Sequence, residues 1–216
     1  MRGRGIAAIL LVVVAATMPP AGAKPKPKAA PVSLYLHGSS PVGEIDGMQN
    51  WSNIITGEPL TFLPMTPEKP SSSTDKSFGI GPQGDDQCSG NPVLPTWDAK
   101  VQGTIKGHMK LRVTLLSYPA PIHIRVFADV DELSCDLDYD NPVVEKELSP
   151  DPGLNDYTID LGDATTHISH RLILMISPNL AGAGADGRVI YDSTAHPSRL
   201  EFSCVPDKGT AGCAAP

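Results

Sequence analysis

The stretch Ile122-His123-Ile124-Arg125-Val126-Phe127-Ala128-Asp129-Val130 decides the fold. Its apolar residues at 122, 124, 126, 128 and 130 alternate with His123, Arg125, Phe127 and Asp129, a period of two. Side chains of a strand point to opposite faces in turn, so this segment reads as a strand with one face on a core. Upstream, Met109, Leu111, Val113 and Leu115 alternate with Lys110, Arg112 and Thr114. Downstream, Tyr157, Ile159 and Leu161 repeat the pattern, as do Leu172, Leu174 and Ile176. Val32 to Leu36, Arg188 to Tyr191 and Arg199 to Phe202 complete the set. Turn signals such as Ser117-Tyr118-Pro119, Pro150-Asp151-Pro152-Gly153 and Ser177-Pro178-Asn179 separate them. With 20 Gly and 22 Pro, no stretch of ten residues past the N-terminal leader shows a helical period. The pattern predicts an all-β fold, a β-sandwich or jelly roll of about eight or nine strands. Residues 40 to 90 are loop-like and are expected to carry short pieces of structure or to drape over a sheet.

Working outward, the first 23 residues read as a secretory signal peptide. Arg2 and Arg4 form its basic head, Ile6 to Ala16 its apolar run, and Ala21-Gly22-Ala23 its cleavage site. The run is too short to span a bilayer, so no membrane span is expected in the mature chain. Residues 24–31 form a Lys/Pro linker, residues 32–205 the sandwich and residues 206–216 a flexible tail. The expected localisation is secreted, extracellular. Once Arg2 and Arg4 are removed, 15 basic residues face 24 acidic ones, and three of the 15 lie in the linker. Such a balance repels phosphate backbones, so nucleic acid is not an expected partner.

Cys88, Cys135, Cys204 and Cys213 fit no zinc spacing, and an even count in an exported chain reads as two disulfides. Three pairings are open. If Val93 opens an early strand and Phe202 closes the last, antiparallel pairing favours Cys88–Cys204 and leaves Cys135 with Cys213.

Six segments in order also carry a resemblance. They are Leu34-Tyr35-Leu36-His37-Gly38, Met65-Thr66-Pro67-Glu68-Lys69-Pro70, Asp98-Ala99-Lys100-Val101-Gln102-Gly103, Ile124 to Asp131, His170 to Leu174, and Ile190 to Leu200 with its Tyr191-Asp192 and His196-Pro197-Ser198-Arg199. Together, over about residues 34 to 202, they resemble the C-terminal galactose-binding-like jelly roll of the Xaa-Pro dipeptidyl-peptidase and cocaine esterase (CocE/NonD) hydrolases. The resemblance implies a galactose-binding-like jelly-roll β-sandwich. It places the family's nucleophile, acid and base in an α/β-hydrolase domain ahead of the module, where this chain is expected to carry a signal and a linker. The family's Asp-Val-Asp-Pro-Asp-Gly turn is also replaced, by Asp129-Val130-Asp131-Glu132-Leu133-Ser134.

No Gly-x-Ser-x-Gly elbow and no His-Glu-x-x-His is present. His123 and Arg125 read as solvated side chains on an outer strand face, and His167 and His170 as lying on opposite faces. In His196-Pro197-Ser198-Arg199, His and Ser read as turn caps, Arg199 as the start of the last strand, and Asp192 as an acceptor within the same turn. Asp136, Asp138, Asp140 and Glu147 have the one, three, five, twelve spacing of a calcium loop. Asn141 and Pro142 oppose an EF-hand, so a solvated acidic loop is the ordinary reading and Ca2+ of another geometry the one cofactor left open. Trp97 and Tyr118 read as core or edge rings, whereas Trp51 and Tyr139 are the candidate ligand-contact rings. The expected function is a secreted, non-catalytic module binding an extracellular glycan or protein. The alternative is a serine hydrolase-related protein of Xaa-Pro dipeptidyl-peptidase or esterase type, acting alone or completing a separate chain.

Overall fold

A computed structural model of the chain describes residues 28–38, 45–46, 62–80, 96–117, 121–129, 141–178, 187–210 and 212–214. Those residues are all-β, and they form a β-sandwich. Twelve strands run in order: β1 Ala30–Leu36, β2 Ile45–Asp46, β3 Leu63–Thr66, β4 Lys76–Ile80, β5 Thr96–Lys100, β6 Gly103–Ser117, β7 Ile122–Ala128, β8 Val144–Leu148, β9 Gly153–Ile168, β10 Arg171–Pro178, β11 Gly187–Tyr191 and β12 Arg199–Pro206. The surplus over eight or nine comes largely from β2, β3 and β4, short strands within the long segment first read as loop.

The alternating segments become the centre of each sheet. In one layer β7 and β10 pair antiparallel, flanked by β5 and β8. In the other, β6 is the spine: β9 covers one edge along its whole length, while the opposite edge is shared by β12 and β11. Beyond these lie β1 beside β12 and β4 beside β11. The short β3 joins the layers, antiparallel to β1 at Tyr35 and Leu36 and parallel to β5 at Leu63 and Pro64.

Inward residues of both layers form one core that includes Leu111, Leu115, Ile124, Val126, Leu172, Leu174 and Phe202. Trp97 is fully buried among them, edge-on to Phe78 and Tyr191 at centroid distances of 6.0 and 5.2 Å. Phe127, Ile173 and Met175 point the other way yet are also buried, with Phe62 packed on them. Phe62, the residue just before β3, therefore lies over the outer face of that layer.

The cysteine pairing differs from the favoured one. Cys204 is bonded to Cys213, so it cannot bond Cys88. After β12 the chain turns at residues 207–210, where Thr210 N and Oγ1 both donate to the Asp207 carbonyl. It then returns beneath β6, Gln102 N donates to Cys213 O at 2.8 Å, and Ala214 bridges Val101. The expected loose tail is thus tied down here, and Cys213 is buried. The bridge packs directly on Gly103: a Cβ there would meet Val205 O at 2.5 Å and the sulfurs of Cys213 and Cys204 at 2.8 and 2.9 Å. With φ of +146° as well, that position accepts only glycine. Cys88 and Cys135 lie outside the described residues.

Candidate functional site

Where β1, β3 and β11 end and β4 begins, four side chains from distant parts of the sequence meet. β11 stops at Tyr191 because Asp192 enters the left-handed region at φ 58°, which a short polar side chain tolerates. That turn aims the carboxylate back across the strand ends. His37 Nδ1 donates to Asp192 Oδ1 at 2.8 Å, Gly38 N donates to Oδ2 at 3.0 Å, and Lys76 Nζ pairs with Oδ2 at 3.2 Å. Lys76 Nζ also donates to Gly38 O at 2.8 Å. The far nitrogen of His37 faces Thr66 Oγ1 and Glu68 O, both at 3.1 Å, while Glu68 N donates to the same threonine oxygen at 3.2 Å. Asp192 therefore serves three strand ends, not only its own turn as its place in the sequence implied.

A second set adjoins it. Ser193 Oγ and His196 Nδ1 both donate to Asp75 Oδ1, the imidazole at 2.8 Å, and His196 N donates to Ser193 Oγ at 3.0 Å. Ser193 is fully buried. Nucleophilic catalysis needs the imidazole between hydroxyl and carboxylate, so that it can take the hydroxyl proton. Here the carboxylate sits between the other two, an order that ties strand ends and differs from that of a nucleophilic triad. Thr66, His37 and Asp192 do stand in hydroxyl–imidazole–carboxylate order. That hydroxyl is held by the Glu68 amide, and Lys76 draws on the same carboxylate.

Ser198 has a related duty. The edge of β6 passes from β12 to β11 near Val113, leaving a gap in the ladder. Buried Ser198 fills it, donating to Ile190 O at 2.8 Å and accepting from Thr114 N at 3.3 Å. It is a splint between strands where a turn cap was expected. Arg199 does begin the last strand.

The outer face of the β6 layer carries the third feature. Cross-strand register sets Tyr35, Arg199, Arg112 and Thr158 in one row over four strands, and Ser33, Glu201, Lys110 and Asp160 in the next. Two arginines directly opposite each other repel. Glu201 relieves them, its Oε1 taking Arg199 Nε at 2.7 Å and Arg112 Nε at 3.1 Å. Burial pushes the Glu201 pKa up, but hydrogen bonds from Arg199 and Arg112 outweigh that and hold it below the usual carboxylate value. Arg199 also lies over the Tyr35 ring at 5.6 Å. Residues Ala195 and Pro197 wall this face, closing a polar cleft of about 170 Å³ lined by Arg112, Thr114, Asp156, Thr158 and Arg199.

The sequence-level candidates fare unevenly. Glu147 lies on β8 opposite His123, its carboxylate 3.9 Å from His123 Nε2. His123 and Arg125 are not merely solvated: both reach Glu145 Oε1, at 2.8 and 2.7 Å, and are about four-fifths buried. Hydrogen bonding from His123 depresses the Glu145 pKa, more than burial raises it, with Arg125 adding to the effect. Asp136, Asp138, Tyr139, Asp140 and Trp51 lie outside the described residues. Among the described residues no group of three or more His, Cys, Asp or Glu side chains is placed to hold a metal ion. His167 lies on β9 against Asp207, and His170 in the following turn against Asp129. Thr66, Asp75 and Lys76 escaped the sequence reading because their partners are 29 to 121 residues away and no spacing marks such pairs.

No protein-family model matches the chain, and no curated protein sequence matches it either. Among solved structures, the chain is similar to a CocE/NonD family hydrolase from Staphylococcus aureus, at 12% sequence identity and a TM-score of 0.49. The likeness covers 85% of this chain and 38% of that one, so this chain spans well under half the length of the hydrolase.

Proposed function

We propose that the chain is an exported, non-catalytic β-sandwich module of galactose-binding-like jelly-roll type that binds a glycan or protein at the cell surface. The observation that carries this reading is the use made of the Ser, His and Asp side chains. Buried Ser193 and His196 both donate to Asp75, so the groups a hydrolase would need are consumed in holding strand ends together. The leader read in residues 1–23 and the Cys204–Cys213 bridge favour an oxidising compartment. The sequence resemblance to the C-terminal module of CocE/NonD hydrolases adds weight, since that module lies apart from the family's catalytic domain.

A second reading, hydrolase-related, rests on the Thr66–His37–Asp192 order. The two readings separate in one pair of measurements on the chain from residue 24 onward. Retention on isolated cell-envelope polysaccharide, without turnover of an Xaa-Pro anilide or a short-chain ester, is the expected result. Turnover that disappears in Thr66→Val would replace the first reading with the second.

A further inference from the structure

The cleft on the outer face of the β6 layer holds a guanidinium whose terminal nitrogens the fold leaves unengaged among the described residues. Arg112 and Arg199 stand side by side on β6 and β12, yet a single carboxylate oxygen, Glu201 Oε1, serves both. Arg199 is largely buried: its Nη1 donates to Pro197 O at 3.3 Å and its plane covers Tyr35. Arg112 differs. Its Nε goes to Glu201, its side chain is half exposed, and its terminal nitrogens have no partner among the described residues. A guanidinium presents those two N–H groups as a planar fork that matches a carboxylate. Repulsion from Arg199 makes a second anion beside Arg112 more favourable still.

The rest of the cleft offers a different chemistry. Thr158 neighbours Arg112 across β9, and Asp156 stands one row away opposite Thr114. Thr114 Oγ1 donates to Asp156 Oδ1, leaving Oδ2 without a partner among the described residues. A carboxylate acceptor and a hydroxyl near an arginine fork can engage vicinal hydroxyls next to an acid group. The volume of about 170 Å³ is small beside the ~300–1,000 Å³ of ordinary ligand pockets, room inside the cleft for about one sugar ring.

We propose that this cleft binds a single uronic acid residue, its carboxylate on Arg112 and its ring hydroxyls on Asp156 and Thr158. The proposal rests on the binding-module reading and supplies its ligand class.

Titration calorimetry or amide chemical shifts of the chain from residue 24 onward test it, at low and constant ionic strength. The probes are galacturonate and glucuronate, with galactose and glucose as neutral counterparts and acetate and inorganic phosphate as plain anions. Saturable binding of a uronate is expected, with the neutral sugars and plain anions weaker by about tenfold or more, the weight of a charge-assisted bidentate contact. Arg112→Gln should abolish it, Arg112→Lys should retain part, and Asp156→Asn should weaken the uronate without changing the response to acetate. Because Arg112 is half exposed, its variants should melt close to the parent, which separates lost binding from lost folding. Absence of saturable uronate binding, equal binding of acetate, or an unchanged affinity in Arg112→Gln would each overturn the site. Envelope retention that persists in Arg112→Gln would leave the module reading standing and move its ligand elsewhere; loss of retention in the parent would remove the module reading itself.

Discussion

Asp129 and Asp192 are the two non-glycine residues at positive φ among the described residues, at 54° and 58°, and each closes a strand. Their carboxylates work differently. Asp129 follows β7 and accepts from the backbone amides of Ser169, His170 and Arg171, at 2.8 to 3.2 Å, capping the turn between β9 and β10. Asp192 follows β11 and takes the His37 ring, the Lys76 ammonium and one amide, that of Gly38. A turn cap held chiefly by amides, with the His170 ring a longer contact at 3.3 Å, needs mainly the right backbone path from its partners. A hub held by side chains needs particular residues on three other strands, and loses several interactions at once when it is removed.

The difference predicts an order of stabilities. Glycine tolerates positive φ, so Asp→Gly deletes the carboxylate with little backbone strain at either place. Asp192→Gly leaves a largely buried lysine and histidine without their acceptor and should cost about 3–4 kcal/mol in urea unfolding. The Cys204–Cys213 bridge closes a separation of nine residues, and Cys213→Ser should cost about 2–3 kcal/mol. Asp129→Gly exposes amides that water can partly reach, and should cost about 1.5 kcal/mol. An equal loss at the two aspartates would erase the distinction between hub and cap; a reversed order would invert it. The bridge sits between them as a covalent yardstick. The same thiol chemistry sharpens a further point: with Cys204 and Cys213 joined, an absence of free thiols in the unreduced chain requires Cys88 to pair with Cys135, which a peptide map reads directly.

Acid separates the two closures further. Burial raises the Asp129 pKa, but amide hydrogen bonds from Ser169, His170 and Arg171 more than reverse this and hold it below the ordinary 3.8. A depressed folded-state pKa adds stability that is present above the unfolded value and is lost as pH falls through the folded one. The gap between the parent and Asp129→Asn should therefore be full near neutrality and narrow only below about pH 4. A gap that stays constant down to pH 2 would mean that the cap does not depend on ionisation.

The same contrast explains what was legible in the sequence. β7 and the inward half of β6 are readable because core burial imposes alternation, and β10, buried on both faces, as an apolar run bounded by turn residues. β9 extends far beyond Tyr157–Leu161, to Gly153–Ile168, and its reach was hidden. It pairs only with β6 among the described residues, so core pressure acts on few of its positions, and Gly162 and Asp163 interrupt the pattern. Leu161 is the extra residue of a bulge there, with Gly162 at φ +94°. The Cys88–Cys204 pairing differs from the observed one for a physical reason too: strand pairing alone favours it, whereas the turn at residues 207–210 and the space left by Gly103 bring Cys213 back to Cys204. In the site, Asp192 and His196 could be singled out because they stand in a dense polar run. Arg112 read only as the outward member of an alternating strand, and its role depends on a register no spacing reveals.

The smallest effect lies on β6 itself and has the opposite pH sign. His108 is exposed, and its two ring nitrogens meet Asp163 at 2.6 Å and Asp160 at 2.8 Å, on either side of the β9 bulge. Both contacts favour the imidazolium, and hydrogen bonds to Asp163 and then Asp160 raise the His108 pKa above 6.5. Asp160 is depressed in turn, first by the Gly162 amide and then by His108. A raised folded-state pKa adds stability that is fully present below the unfolded value and is lost as pH rises through the folded one. Asp129 and His108 therefore fade at opposite ends of the pH scale, and a thermal scan over pH should show the His108→Gln difference shrinking toward alkali. Because the ring is open to solvent, salt will screen most of that difference, so proton chemical shifts are the decisive readout. The His108 titration should lie above that of a model peptide and fall back in Asp163→Asn. A midpoint at or below the model value would show that the two aspartates do not act on the ring, and that the bulge at Gly162 is held by its own backbone.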